Sequence, residues 1–170
     1  MTTLALFPSE PHEGGSDAQC TPRHVADALG VFGLDPCSNP RSHIQAFKTY
    51  QLERGEDGLS LPWTLGGLTP ASVFVNGPYS DPLPWCERLR AHRGPWAALW
   101  KLDPTTEWWR QLMAGCDAWA PFRSRLRFEK PGNCGSADFP CALAWRDYEP
   151  SDDLLALLWP TQPIIRKAGV

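Results

Sequence analysis

Asn76, Gly77 and Tyr79 close the run Val73-Phe74-Val75-Asn76-Gly77-Pro78-Tyr79-Ser80, where an apolar stretch stops at an amide, a turn and an aromatic ring. An Asn side-chain oxygen accepts a hydrogen bond from an exocyclic amine, a Gly leaves its backbone carbonyl accessible, and a Tyr ring offers a flat face to a base. The combination suits chemistry on the amino group of a nucleobase. Asn, Gly and Pro are also common turn residues, so on these eight positions alone a plain strand-to-loop turn is the simpler account.

Such chemistry needs elements that carry the strand end to a crevice. The β-branched and aromatic run ended by Gly-Pro predicts a short buried strand reaching a sheet edge, and open α/β sheets bind ligands at that edge. Upstream, Thr21 reads as a helix N-cap with Pro22 at the first helical position, and Val25, Ala28 and Leu29 supply one apolar face. Residues 31–34 predict a strand running into Asp35-Pro36, where proline is expected to end the pairing. The stretch from Asn39 to Gly55 mixes Ile44, Ala46, Phe47 and Tyr50 with polar residues and reads as a short helix or irregular chain.

Beyond it, residues 65–70 predict a Gly-rich turn, 72–75 a strand, 82–92 a helix, 96–102 a buried strand, 105–114 a helix and 118–122 a strand. Residues 125–129 alternate basic and apolar side chains, as a strand with one wet positive face would. Residues 131–139 predict a mobile loop and 141–145 a late strand. The alternation favours a doubly wound α/β sheet, mainly parallel, in a single compact domain. Residues 1–19 lack sustained periodicity and predict a flexible arm, with the domain over 20–160 and a C-terminal tail over 161–170.

Composition narrows the function classes. The 170 residues fit one domain without room for a separate large DNA-recognition domain. The net charge of -3 argues against a simple polyanion binder, yet residues 86–130 hold nine Lys/Arg against five Asp/Glu. The six cysteines include no Cys-x-x-Cys pair or zinc-finger spacing, so no metal site is read. No positive n-region with an apolar h-region opens the chain, and no segment approaches the roughly 18 apolar residues of a membrane span. Thiols in a reducing cytoplasm are the expectation.

The motifs together resemble a known family. The octapeptide is similar to the Asn-Pro-Pro-Tyr motif of amino-group DNA methyltransferases. Cys20-Thr21-Pro22-Arg23-His24-Val25-Ala26-Asp27-Ala28-Leu29 resembles the Thr-Pro-led helix with which adenine-N6 enzymes hold the amino-acid end of S-adenosylmethionine. Gly33-Leu34-Asp35-Pro36-Cys37-Ser38-Asn39-Pro40 resembles their first cofactor motif. Glu56-Asp57-Gly58-Leu59, Trp63, Trp108-Trp109 and Arg125-Leu126-Arg127-Phe128 follow in the order of the small phage and prophage DNA N6-adenine methyltransferases, over roughly 21–145.

That resemblance implies a Rossmann-like S-adenosylmethionine-dependent methyltransferase fold and methylation of a flipped DNA adenine. Asn76 and the Gly77 carbonyl, with Pro78, would receive the amine, and Tyr79 would stack on the base. Thr21, Pro22, Asp35, Pro36 and Asp57 would hold S-adenosylmethionine, with Glu53 a competing ribose ligand better read as solvated surface. Phe47 and Trp63 are candidate adenine-pocket walls, and Ser80 and Trp85 candidate linings of the target-base pocket. Arg123, Arg125, Arg127 and Lys130 form the expected DNA patch, although a charged strand edge explains the same alternation. The chain departs from the family at Gly77, where proline is usual, and after Asp35, where Pro36-Cys37-Ser38-Asn39 replaces a glycine-rich continuation. N4-cytosine methylation and a catalytically weak binding relative stay open as alternatives.

Overall fold

A computed structural model describes residues 20–130, 133–136, 139–160 and 162–163. The expected arm over 1–19 and most of the expected tail lie outside them. In chain order the elements are α1 (Arg23–Leu29), β1 (Val31–Ser38), β2 (Gln45–Gln51), β3 (Thr64–Leu65), β4 (Thr69–Pro70), β5 (Val73–Val75), α2 (Leu83–Ala91) and β6 (Trp96–Lys101). Then follow α3 (Glu107–Gly115), β7 (Ala118–Pro121), β8 (Arg127–Lys130), β9 (Asn133–Ser136), β10 (Cys141–Arg146), α4 (Asp152–Leu157) and β11 (Gln162–Pro163).

Seven strands form one sheet in the order β11-β7-β10-β6-β5-β1-β2. The pairs β1/β2, β1/β5 and β5/β6 are parallel, while β10 runs against both neighbours and β11 runs against β7. The sheet is therefore mixed but mostly parallel, since β1, β2, β5, β6 and β7 share one direction. β3/β4 and β8/β9 are separate antiparallel hairpins.

Two cores flank the sheet, as an α/β layer arrangement requires. Phe32, Phe74, Leu99 and Leu143 pack with Val25 and Leu29 of α1 and Leu154 of α4. On the other face Leu34, Val73, Val75, Trp96 and Trp100 pack with Trp85 and Leu89 of α2 and Leu112 of α3. The central strand β5 is apolar throughout, and β6 and β10 are apolar until their last residues, because both faces are covered. Size matching keeps the second face filled: Trp100 stands opposite Ala142, and Ala98 opposite Ala144, so small β10 residues leave room for the indoles.

Several expectations change. Pro22, not Thr21, occupies the N-cap position of α1, and no side chain caps that helix. β1 continues through Pro36 to Ser38; the missing proline N–H is tolerated because the pairing with β2 shifts register between Asp35 and Ser38. The segment read as helix or irregular chain contains the edge strand β2, on which Tyr50 alone is buried. Within the expected loop over 131–139, Asn133–Ser136 pairs with β8. Helix α4 was not anticipated; the Ser151 hydroxyl accepts from the Leu154 N–H and caps it.

Candidate functional site

The strand order reverses between β1 and β5, since β2 flanks β1 on one side and β5 flanks it on the other. Open α/β sheets bind ligands beyond the carboxyl ends of strands at such a point. Asp35 and Cys37 lie near the end of β1, Asn76 directly follows β5, and Thr21 precedes α1. These four, with Cys20, Asn39, Ser42, Ile44 and Phe74, line one small cleft.

Hydrogen bonds inside the cleft fix its polar groups. The Asn76 Nδ2 donates to Thr21 Oγ1 at 3.0 Å, and the Tyr79 hydroxyl donates to Asn76 Oδ1 at 3.2 Å. Asp35 accepts from the Cys37 N–H at 3.2 Å and from the Ser42 hydroxyl at 3.4 Å. Only 3% of Asp35 is exposed. Burial therefore raises its carboxyl to a pKa of about 6, against the lowering effect of its bonds from the Cys37 backbone and from Ser38 and Ser42. Burial, then the charge of Asp35, pushes the Cys37 thiol well up, while the Asn76 N–H pulls it the other way. A buried carboxylate perturbed in this way beside a strand end is a candidate functional group.

Gly77 and Tyr79 are shaped by aromatic neighbours. A Cβ on Gly77 would lie 3.0 Å from the Trp100 ring and 3.3 Å from that of Trp85, so the two indoles fill the space a side chain would take. Tyr79 meets Trp100, Phe128 and Phe139 edge-on, with centroids 5.8, 6.3 and 5.3 Å away. Burial raises its phenol well above the usual range, so the hydroxyl stays a neutral donor. Pro78, between them, is half-buried.

Other anticipated residues sit elsewhere. Asp57 is exposed, does not line the cleft, and caps a turn through the Leu59 N–H and the Ser60 hydroxyl; those bonds lower its pKa. Its neighbour Gly58 packs against the Pro36 carbonyl so closely that a Cβ there would fall 1.8 Å from the oxygen. Glu53 is exposed, as expected of solvated surface. Phe47 and Trp63, expected as pocket walls, do not line the cleft that holds Asp35. Phe47 is 83% exposed on β2, while Trp63 is buried in the second core and donates to the Gly58 carbonyl. Trp85 is core as well, and Ser80 is exposed.

The basic segment divides. Leu126 and Phe128 are buried and Arg125 and Arg127 exposed, which matches the anticipated alternation. Arg123 is diverted: its Nε donates to the Leu158 carbonyl at 2.7 Å and its guanidinium lies over the Trp159 ring. The Lys130 side chain lies outside the described residues. Arg125, Arg127, Arg23 and His24 line a cleft of about 620 Å3.

Ser42 was missed by sequence reasoning, because its role depends on the β1–β2 connection folding back onto Asp35. Pro22 supplies backbone acceptors to Val25 and Ala26. Among the described residues no group of three His, Cys, Asp or Glu is placed to hold a metal ion, and no helix is long and apolar enough to cross a membrane. The chain matches no protein-family model, no curated protein and no solved structure.

Proposed function

We propose that this protein is an S-adenosylmethionine-dependent DNA methyltransferase acting on the exocyclic N6 amine of adenine, on a Rossmann-like sheet. The observation that carries the reading is the meeting of Thr21, Asp35 and Asn76, from three separate motifs, in one cleft at the reversal of strand order. By resemblance the first two motifs serve the cofactor and the third the amine. Their convergence is what one active centre requires.

The donor set fits the amino-acid end of S-adenosylmethionine. Asp35 offers a buried carboxylate to an ammonium group and Thr21 a hydroxyl to a carboxylate. When bound, the cofactor supplies an electrophilic methyl group. The Asn76 oxygen and the Gly77 carbonyl would accept the two hydrogens of the target amine, drawing its lone pair out of conjugation with the ring. Tyr79 would compensate part of the unstacking cost of a flipped base. Positioning then provides most of the acceleration.

The cleft between these residues holds about 10 Å3, far below the roughly 300 Å3 of small ligand pockets. Binding would therefore have to widen it. The same closure favours a second reading, a nucleic-acid-binding relative that no longer transfers methyl groups. Pure protein incubated with labelled S-adenosylmethionine and unmethylated DNA separates the two: N6-methyladenine identified by mass supports the enzyme. N4-methylcytosine would move the target base. No labelled nucleoside and no calorimetric signal at millimolar cofactor would leave the binding relative.

A further inference from the structure

A second cleft, of about 620 Å3, opens between the first turn of α1 and the chain entering β8. Arg23 and His24 of α1 line it together with Arg125 and Arg127, and Asp27 is the carboxylate among the described lining residues. All five are exposed. Both segments are anchored in the first core, by Val25 and Ala26 on α1 and by Leu126 and Phe128 beside the arginines. The spacing of the cations is thus held by packed elements and not by free side-chain tethers. Pro22 lines this cleft and Thr21 the smaller one, so the two meet at consecutive residues.

We propose that this cleft seats the phosphate backbone of the nucleic acid next to the target nucleotide, with Arg23 and His24 on α1 acting together with Arg125 and Arg127; the proposal rests on reading the smaller cleft as the DNA-methylating centre. A chain of net charge -3 has no overall attraction for a polyanion, so a local cationic trough decides where one lands. Guanidinium groups match phosphate oxygens in a two-pronged fork, and placing them on two separate segments suits an extended strand running along the cleft. A compact anion would instead need donors converging on one buried point, whereas these side chains are exposed. Among the described lining residues the carboxylate is that of Asp27, held near Arg23 in an exposed pair at 3.8 Å. Such a pair is weak enough for a phosphate to displace.

The test is fluorescence anisotropy of the full chain on an unmethylated labelled duplex, without cofactor, over a salt series. Arg23→Ala and Arg127→Ala are each expected to weaken binding at low salt and to reduce the slope of log affinity against log salt by about 0.9, the value for one lost phosphate contact. Asp27→Asn is expected to tighten binding about two- to threefold, since one repulsive charge leaves the trough. A gain of that kind cannot come from misfolding. Unchanged affinity and slope in Arg23→Ala, with normal melting, would overturn the phosphate-seating cleft. Complete displacement of the duplex by millimolar inorganic pyrophosphate would overturn it in favour of a compact-anion site, and polyglutamate binding as tightly as DNA would overturn it in favour of an anionic protein partner. Because binding is read without methyl transfer, the two proposals fail separately. Cleft-dependent binding by a protein that never methylates keeps this one, and methylation indifferent to Arg23 removes it alone.

Discussion

The side-chain nitrogen of Asn76 donates to the hydroxyl of Thr21 at 3.0 Å, tying the end of β5 to the start of α1 across 55 positions of sequence. This contact turns the amide so that its oxygen faces Tyr79. The oxygen is the end that must accept from an incoming amine, so Thr21 orients Asn76 for the proposed reaction while closing the cleft in front of it.

In the proposed enzyme Thr21 would thereby be a positioning residue as well as a ligand to the cofactor. Asn76→Ala is expected to cost about tenfold to a thousandfold in turnover, by analogy with deleting a preorganised polar group. Thr21→Val should lower turnover and cofactor affinity together, and Thr21→Ser should restore both, because the hydroxyl is what Asn76 needs. Steady-state kinetics with separate calorimetry of cofactor binding decide it. Full turnover in Thr21→Val would show that the amide holds its orientation without this bond. Tyr79→Phe should be mild, since Thr21 still orients the amide, and Tyr79→Ala severe.

The proposed role of Asp35 would set cofactor binding against stability. Its folded pKa of about 6 lies above the ordinary 3.8, so the native state holds the proton more tightly than the unfolded chain between those values. Its contribution to stability therefore falls as pH rises from about 4 to about 6 and stays unfavourable above. Asp35→Asn removes that penalty. At pH 7.5 the variant should be more stable, by up to about 3 kcal/mol for a shift of this size, and the gain should vanish towards pH 4. Cofactor affinity should meanwhile drop at least about tenfold, as expected for a lost charge-assisted hydrogen bond. Denaturant melts at the two pH values check the first claim; destabilisation at pH 7.5 would refute it.

Gly77 stands where the resembled motif usually has proline, in packing that the sequence does not display. Trp100 and Trp85 occupy the space beside its Cα, so Gly77→Pro does not simply stiffen the loop. It should destabilise by about 1–3 kcal/mol, as overpacking does. Adding Trp100→Phe should recover part of that loss, giving a favourable coupling in a double-mutant cycle. Strict additivity in denaturant melts would mean that the rings move aside freely.

What the sequence disclosed follows from how local each signal is. The β5 strand and its polar stop were legible because three buried residues and a turn are adjacent in the chain. The strands over 96–101 and 141–146 were legible for the same reason, being continuous apolar runs. β2 was not, because Ile44, Ala46, Phe47 and Tyr50 fit a helical period as well as a strand, and an edge strand with one buried residue lacks clean alternation. At the site, Thr21, Asp35 and Asn76 were named from motifs, yet their mutual hydrogen bonds, the role of Ser42 and the narrowness of the cleft depend on distant segments meeting. The placing of Asp57 in an exposed turn apart from that cleft was not legible, because a carboxylate in a turn and a carboxylate in a pocket are identical in sequence.

Arg123 provides the sharpest separation of structure from binding. In sequence it belongs to the same basic series as Arg125 and Arg127, but its backbone N–H donates to the Leu157 carbonyl, its Nε donates to the Leu158 carbonyl, and it stacks over Trp159. It therefore fastens the end of α4 to the chain after β7. Arg123→Ala should lower stability by about 1–2 kcal/mol, the sum of a charge-assisted hydrogen bond and a cation–π contact at a partly exposed place. The salt dependence of DNA binding should stay unchanged. Arg127→Ala should do the reverse, leaving the melting transition in place while flattening the salt slope by about 0.9. Melting curves and anisotropy titrations on the same two preparations are enough. If Arg123→Ala instead melts normally and loses the slope, the guanidinium leaves Leu158 to reach phosphate, and the DNA patch includes the third arginine after all.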